Sequence, residues 1–122
     1  MTNEKAQIIN HNNKEVVLVD LSNGTPTDIP LILFAAVEFI RNAPPKSRLV
    51  LTDVSNATYN KQVSDEMKEF STKNTPFVKA SAVVGADGVR LILLQTLIFL
   101  TRREIKTFTT REAALDWLTS LP

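Results

Sequence analysis

The 122-residue chain has no cysteine, a single histidine and almost no net charge, with 14 basic side chains against 13 acidic ones. Without cysteine it forms no disulfide and offers no thiolate to a metal, which fits a reducing compartment. One imidazole, that of His11, leaves zinc without its usual ligands. His11 falls in a turn between asparagines, where a solvated side chain is the expectation. We expect no metal and no cofactor. A formal charge of +1 gives no whole-molecule attraction to nucleic acid or to an acidic membrane. No apolar run approaches the roughly 20 residues that span a bilayer. The runs Leu91 to Leu94 and Leu97 to Leu100 are short and flanked by Arg90, Arg102 and Arg103. The opening MTNEKAQ lacks the apolar stretch of a secretory signal. The expected location is the cytoplasm.

What is present is ordinary for a globular protein: 43% hydrophobic and 22% charged residues. The length suits one domain, 1–122, with a sizeable core. The chain is organised around FVKASAVVGADGVRLILLQTLIFL, residues 77–100. Phe77 to Val84 reads as a central strand. Gly85-Ala86-Asp87-Gly88 breaks it, with Asp87 placed to cap a helix. This turn is only loosely like a phosphate cradle, because the P-loop Lys-Ser/Thr ending is missing. The following helix, Val89 to Leu100, is apolar nearly all round. Val89, Ile92, Leu93, Leu97 and Leu100 are assigned to the sheet, so Leu91, Leu94 and Ile98 form a second stripe. That stripe needs a neighbouring helix, a second subunit or a ligand to cover it.

Elsewhere the pattern alternates. Ala6 to Asn10 and Glu15 to Asp20 are short apolar runs joined through Asn12-Asn13, which predicts a hairpin. A helix follows to about Asn42, capped by Thr27 or Asp28 and ended at Ala43-Pro44-Pro45. Leu33, Val37 and Ile40 form its inner stripe. Arg48 to Val54 is a third strand. Asn60 caps a helix to Lys73 that turns Val63, Met67 and Phe70 inward. Glu104 to Phe108 is a fifth strand, and Thr109-Thr110-Arg111-Glu112 reads as a capping box before the last helix. The order β-β-α-β-α-β-α-β-α predicts an α/β fold: a five-stranded, mostly parallel sheet with one antiparallel hairpin strand and four helices.

One short stretch is used twice. Asp20-Leu21-Ser22-Asn23-Gly24-Thr25 recurs as Asp53-Val54-Ser55-Asn56-Ala57-Thr58, each time after an apolar strand. Asp, Ser and Asn fold back on nearby N–H groups and end a strand in a defined turn. Both turns then open the same rim, beyond the carboxyl ends of the strands, where open α/β sheets bind ligands and partners.

The stretches RLVLTDVSNATYNK, PFVKASAVVGADGVR and IKTFTTREAALDWL resemble the SpoIIAA-like group of bacterial proteins, whose fold is related to STAS and CRAL-TRIO domains. The resemblance covers nearly the whole chain. It implies a βα superhelix with consecutive strands as neighbours, and a binding or regulatory module rather than an enzyme. STAS antagonists of anti-sigma factors carry a phosphorylated Ser in an Asp-Ser-Ser-Gly turn. This chain has Asn60-Lys61-Gln62-Val63-Ser64 there, so the phosphoacceptor turn is absent.

No catalytic set stands out. Asp20 and Asp53 can approach each other at adjacent strand ends, as a metal or acid–base pair does, but such residues more often accept loop N–H bonds. Arg102, Arg103, Lys106 and Arg111 form the one basic cluster, diluted by Glu104 and Glu112; a solvated face is the expectation. The rim supplies the candidate contact residues for an unidentified protein partner. They are Asp20, Ser22 and Asn23; Asp53, Ser55 and Asn56; Tyr59, Asn60 and Lys61; and Asp87 with Arg90. The surplus apolar stripe of Leu91, Leu94 and Ile98 points to a homodimer interface. The rival expectation is a carrier for a lipid or other apolar small molecule, as the CRAL-TRIO relationship implies. An enzyme using Asp53, Tyr59 and Lys61 ranks last.

Overall fold

The computed structural model describes residues 4–122; the first three residues of the polar MTNEKAQ opening lie outside the described residues. The elements follow the expected order. Strand β1 is Ala6–His11 and β2 is Lys14–Asp20; helix α1 is Asp28–Arg41. Strand β3 is Arg48–Asp53 and α2 is Lys61–Asn74, ending in a short 3₁₀ turn, Thr75–Phe77. Then come β4, Val78–Val84, α3, Gly88–Thr101, β5, Ile105–Phe108, and α4, Arg111–Ser120.

The sheet order is β1-β2-β3-β4-β5, so every strand lies beside its neighbours in sequence. β1 runs antiparallel to β2, and the other pairs are parallel. The hairpin closes on Asn12 and Asn13, both left-handed at φ 50° and 66°. That is the geometry of a two-residue type I′ turn, whose twist matches the strands. Because side chains alternate along a strand, the sheet has two separate cores. Val17, Val19 and Val50 meet Ile29, Ile32 and Ile40 of α1, and Val63, Met67 and Phe70 of α2. Val16, Leu18, Leu49, Leu51 and Ala82 meet Ala114 and Leu118 of α4 on the other face. α4 closes that second face alone.

Several local expectations need correction. α1 is not capped by Thr27, whose side chain makes no cap bond. The Thr25 hydroxyl accepts from the Asp28 N–H at 3.1 Å, and the Asp28 carboxylate accepts from the Thr25 N–H at 3.4 Å. The reciprocal pair thus uses a threonine two residues earlier than Thr27. α4 is capped by Thr110, which accepts from Ala113 N–H at 3.2 Å. The expected Thr109–Glu112 capping box does not form, because the helix starts one residue later. Asn60 does cap α2, accepting from Val63 N–H at 2.8 Å. Asp87 sits at the N-cap of α3 without a side-chain cap bond; it accepts from Arg90 Nη1 instead, at 3.2 Å.

The largest correction concerns the faces of α3. Leu94 and Leu97 are the residues buried against the chain, each 4% exposed. Leu94 therefore cannot belong to a dimer interface. Val89, Ile92 and Leu100, assigned from the sequence to the sheet, are exposed, as are Leu91 and Phe99. A helix apolar on all sides gives periodicity no polar face to orient it. α1 and α3 do not cover each other either, since α2 packs between them.

Candidate functional site

The carboxyl ends of β2, β3 and β4 end in turns that are bonded to one another. Asp20 and Asp53 are register partners on β2 and β3. Each closes the same turn: Asp20 Oδ1 accepts from Ser22 N–H at 3.0 Å, and Asp53 Oδ1 from Ser55 N–H at 2.9 Å. Asn23 and Asn56 then both turn left-handed at φ 56°, a conformation Asn tolerates better than most residues. The repeated sequence is thus one strand-ending turn built twice, side by side. Backbone bonds lace the turns together. Leu21 N–H reaches Asp53 O, Asn23 N–H reaches Ser55 O, and Val54 N–H reaches Val84 O, all within 2.8–2.9 Å.

The third turn is fitted to the second by Gly85, at φ +82°. A Cβ there would stand 2.7 Å from Ser55 Cα and 2.8 Å from Ser55 N. Only glycine permits both that φ and that approach.

One residue that the sequence placed in a solvated basic cluster completes the rim. Arg111, in the first turn of α4, bridges both carboxylates: Nε to Asp53 Oδ2 at 2.8 Å and Nη2 to Asp20 Oδ1 at 3.0 Å. The Asp53 side chain is 8% exposed and that of Asp20 20%. Burial alone raises the Asp20 pKa. Hydrogen bonds from the Ser22 hydroxyl and N–H, and then from Arg111, outweigh burial and hold the carboxyl below its usual range. Partial burial likewise opposes the Arg111 charge, and the two carboxylates more than restore it. Both Asp side chains therefore share one cation within the chain. Among the described residues, no group of three or more His, Cys, Asp or Glu side chains is placed to hold a metal.

The remaining rim residues divide by exposure. Tyr59 is 41% exposed, and its hydroxyl has no hydrogen-bond partner among the described residues. Lys61 pairs with Asp65 one turn along α2, at 2.8 Å, and stays exposed. Asn23, Asn56 and Asp87 are exposed, and Asn60 is committed to its cap. Arg90 is partly buried, and its Nε donates to Ala57 O at 2.8 Å, tying α3 to the loop after β3. His11 is also not free: Nε2 lies 2.7 Å from Asp116 Oδ1, joining the hairpin to α4. Lys106 lies over the Trp117 ring at 5.5 Å. Of the four basic residues grouped by sequence, only Arg102 is exposed without such a contact.

Beneath α3 lies an apolar cavity of about 70 Å³. Its walls include α2, the inner faces of β3 and β4, Leu94 and Leu97 of α3 and, toward the rim, Ala57, Thr58, Tyr59 and Arg90. The space exists because small side chains, Ser71, Ser81 and Thr52, stand where large ones would fill it. Arg103, just past the C-terminal end of α3, lines the same cavity.

α3 also carries the most exposed apolar surface: Phe99 is 81% exposed, Ile92 60%, Leu100 53% and Val89 49%. Two further large side chains, Leu31 and Phe34, are exposed on α1. No helix among the described residues is long and apolar enough to cross a membrane.

No protein-family model and no curated protein sequence matches the chain. The solved structures do contain a match. A crystal structure of an uncharacterised protein of the DUF3478 family from Shewanella loihica, described as having a SpoIIAA-like fold, superposes with a TM-score of 0.65. The alignment covers 93% of this chain and 91% of that one, at 18% identity. The fold of this chain is SpoIIAA-like, as the sequence resemblance implied.

Proposed function

We propose that this chain is a single non-enzymatic interaction module that docks a protein partner on the rim of its sheet. The observation that supports this reading is how the rim spends its polar groups. Asp20, Asp53, Ser22, Arg111 and Arg90 are bonded to each other and to the loops. They make a stiff platform rather than a reactive site. Tyr59 stands out from that platform, half exposed, beside Lys61 and the left-handed Asn56. An aromatic residue on a preorganised surface is a common anchor for recognition, since little freedom is lost on binding.

The test compares wild-type protein with the double variant Tyr59→Ala, Lys61→Ala, each tagged and recovered from the source cell. A protein captured by the wild type and lost by the variant, at unchanged melting temperature, supports the reading. Equal capture by both refutes the rim as the contact surface.

A second reading, self-association, is favoured by α3. Val89, Ile92 and Phe99 recur at i, i+3 and i+10, on one side of the helix, with Leu100 next to them. Each is at least half exposed or close to it. Contiguous apolar surface of this kind usually marks an interface, and a two-fold axis lets identical patches cover each other. In this reading the chain forms a homodimer through the outer face of α3, which leaves the rim free.

A further inference from the structure

Arg103 is a cation without an anion. Its Nε is buried and has no hydrogen-bond partner. Its Nη1 donates to the Ser81 hydroxyl at 3.2 Å, a neutral acceptor on β4. Among the described residues no carboxylate lies within ion-pair distance of it, in contrast to Arg48, Arg90 and Arg111. Burial alone pushes its pKa down to about 10, and nothing opposes that shift. A guanidinium held out of water is costly unless a charge-bearing acceptor meets it. Arg103, only partly exposed, lines the apolar cavity.

The rest of the cavity fits the other end of an amphiphile. Leu94, Leu97 and Met67 line it together with the aliphatic residues of β3 and β4. The volume of about 70 Å³ is about half that of a dry cavity known to admit benzene. A few methylene groups fit as it stands. More fit if α3 shifts outward, and α3 is the helix with a bare outer face. A phosphate monoester would bring two charges to one guanidinium in an apolar setting, and the second would stay uncompensated. A carboxylate brings one charge and two oxygens, which match the planar fork of arginine.

We propose that the cavity between α2, α3 and the β3–β4 face binds a small monocarboxylate with an apolar tail. The carboxylate pairs with Arg103 and the tail lies on Leu94, Leu97 and Met67. The cavity reaches the rim at Ala57, Thr58, Tyr59 and Arg90, but its test reads ligand affinity rather than partner capture, so it stands or falls without the partner reading.

The experiment titrates the full chain by calorimetry with hexanoate, with hexan-1-ol of the same tail, and with inorganic phosphate. Hexanoate is expected to bind at one per chain, roughly ten- to a hundredfold tighter than the alcohol. Phosphate is expected not to bind. Arg103→Met should bring hexanoate and hexanol to the same affinity while keeping or raising the melting temperature, because it removes an uncompensated charge. Ser71→Leu, which fills the cavity from α2, should abolish binding of both. Equal binding of hexanoate and hexanol by the wild type overturns the proposal and needs no variant to fold. Binding of phosphate in preference to hexanoate overturns the ligand class, and no binding of hexanoate at millimolar concentration overturns the site.

Discussion

Arg111 Nε donates to Asp53 Oδ2 at 2.8 Å, across 58 residues of sequence. The same guanidinium holds Asp20, so the first turn of the last helix ties together the ends of two central strands and offsets part of their charge. This contact turns an acidic pair that invites a catalytic reading into a structural joint.

Arg111→Met removes the cation and leaves two carboxylates facing each other. We expect a loss of about 1–3 kcal/mol at pH 7, below the range for fully buried pairs because Arg111 is partly exposed. The loss depends on pH. The folded Asp20 pKa lies below its unfolded value of about 3.9. Its contribution is complete above that value and disappears as pH falls through the folded pKa. Wild-type stability should therefore drop below about pH 4, and the variant curve should be flatter there. Urea titrations at pH 7 and pH 3 check this; a gap that widens on acidification would show that the clamp is not the source.

Gly85→Ala should cost about 2–4 kcal/mol, because a left-handed φ and a backbone collision act together. The collision is with the Ser55 backbone as well as its hydroxyl, so adding Ser55→Ala should not restore stability. Asn56→Gly, at a left-handed residue with its side chain in solvent, should change stability by less than about 1 kcal/mol. Chemical denaturation of the four proteins separates the two kinds of position.

Leu94→Glu and Ile92→Glu should behave oppositely although the residues are two apart on one helix. A carboxylate at the buried Leu94 position should destabilise by more than about 3 kcal/mol or unfold the chain. At Ile92 the fold should survive with a change of about 0.5 kcal/mol or less, and sedimentation velocity should show a shift from dimer to monomer. Wild-type protein that is monomeric at high micromolar concentration ends the self-association reading.

Ser64 and Ser55 should resist an anti-sigma-type kinase. Ser64 is buried on the inner side of α2, 7% exposed, and Ser55 is packed on Gly85. Intact-mass measurement after incubation should show no added phosphate. One stoichiometric phosphoserine at either position would mean that the rim opens far more than its hydrogen bonds suggest.

The order of elements, the antiparallel first strand and the neighbouring parallel strands were legible in the sequence, because apolar runs and turn residues report local geometry. The Asp20 and Asp53 turns were legible for the same reason: each Asx bond spans two residues. The Arg111 clamp, the His11–Asp116 pair and the isolation of Arg103 were not. Each depends on residues far apart in sequence, and the charge pattern around 102–112 looks like a solvated face until the fold assigns each side chain its neighbours. The orientation of α3 is not legible in the sequence, because its apolar residues surround the helix. Only packing against α2 decides that Leu94 and Leu97 turn inward.

The two-sided core makes the timing of synthesis matter. The sheet grows from one edge to the other as the chain is made, and three helices cover one face on the way. The opposite face, with Val16, Leu18, Leu49, Leu51 and Ala82, waits for Arg111–Ser120. Until then a nascent chain carries a bare apolar sheet and an acidic pair without its cation, the exposed state that draws chaperones or aggregates. Ribosome-bound chains stopped at Thr109 should crosslink to a nascent-chain chaperone, and chains with the last helix fully emerged should not. Equal crosslinking of the two would mean that the sheet does not form before α4 arrives.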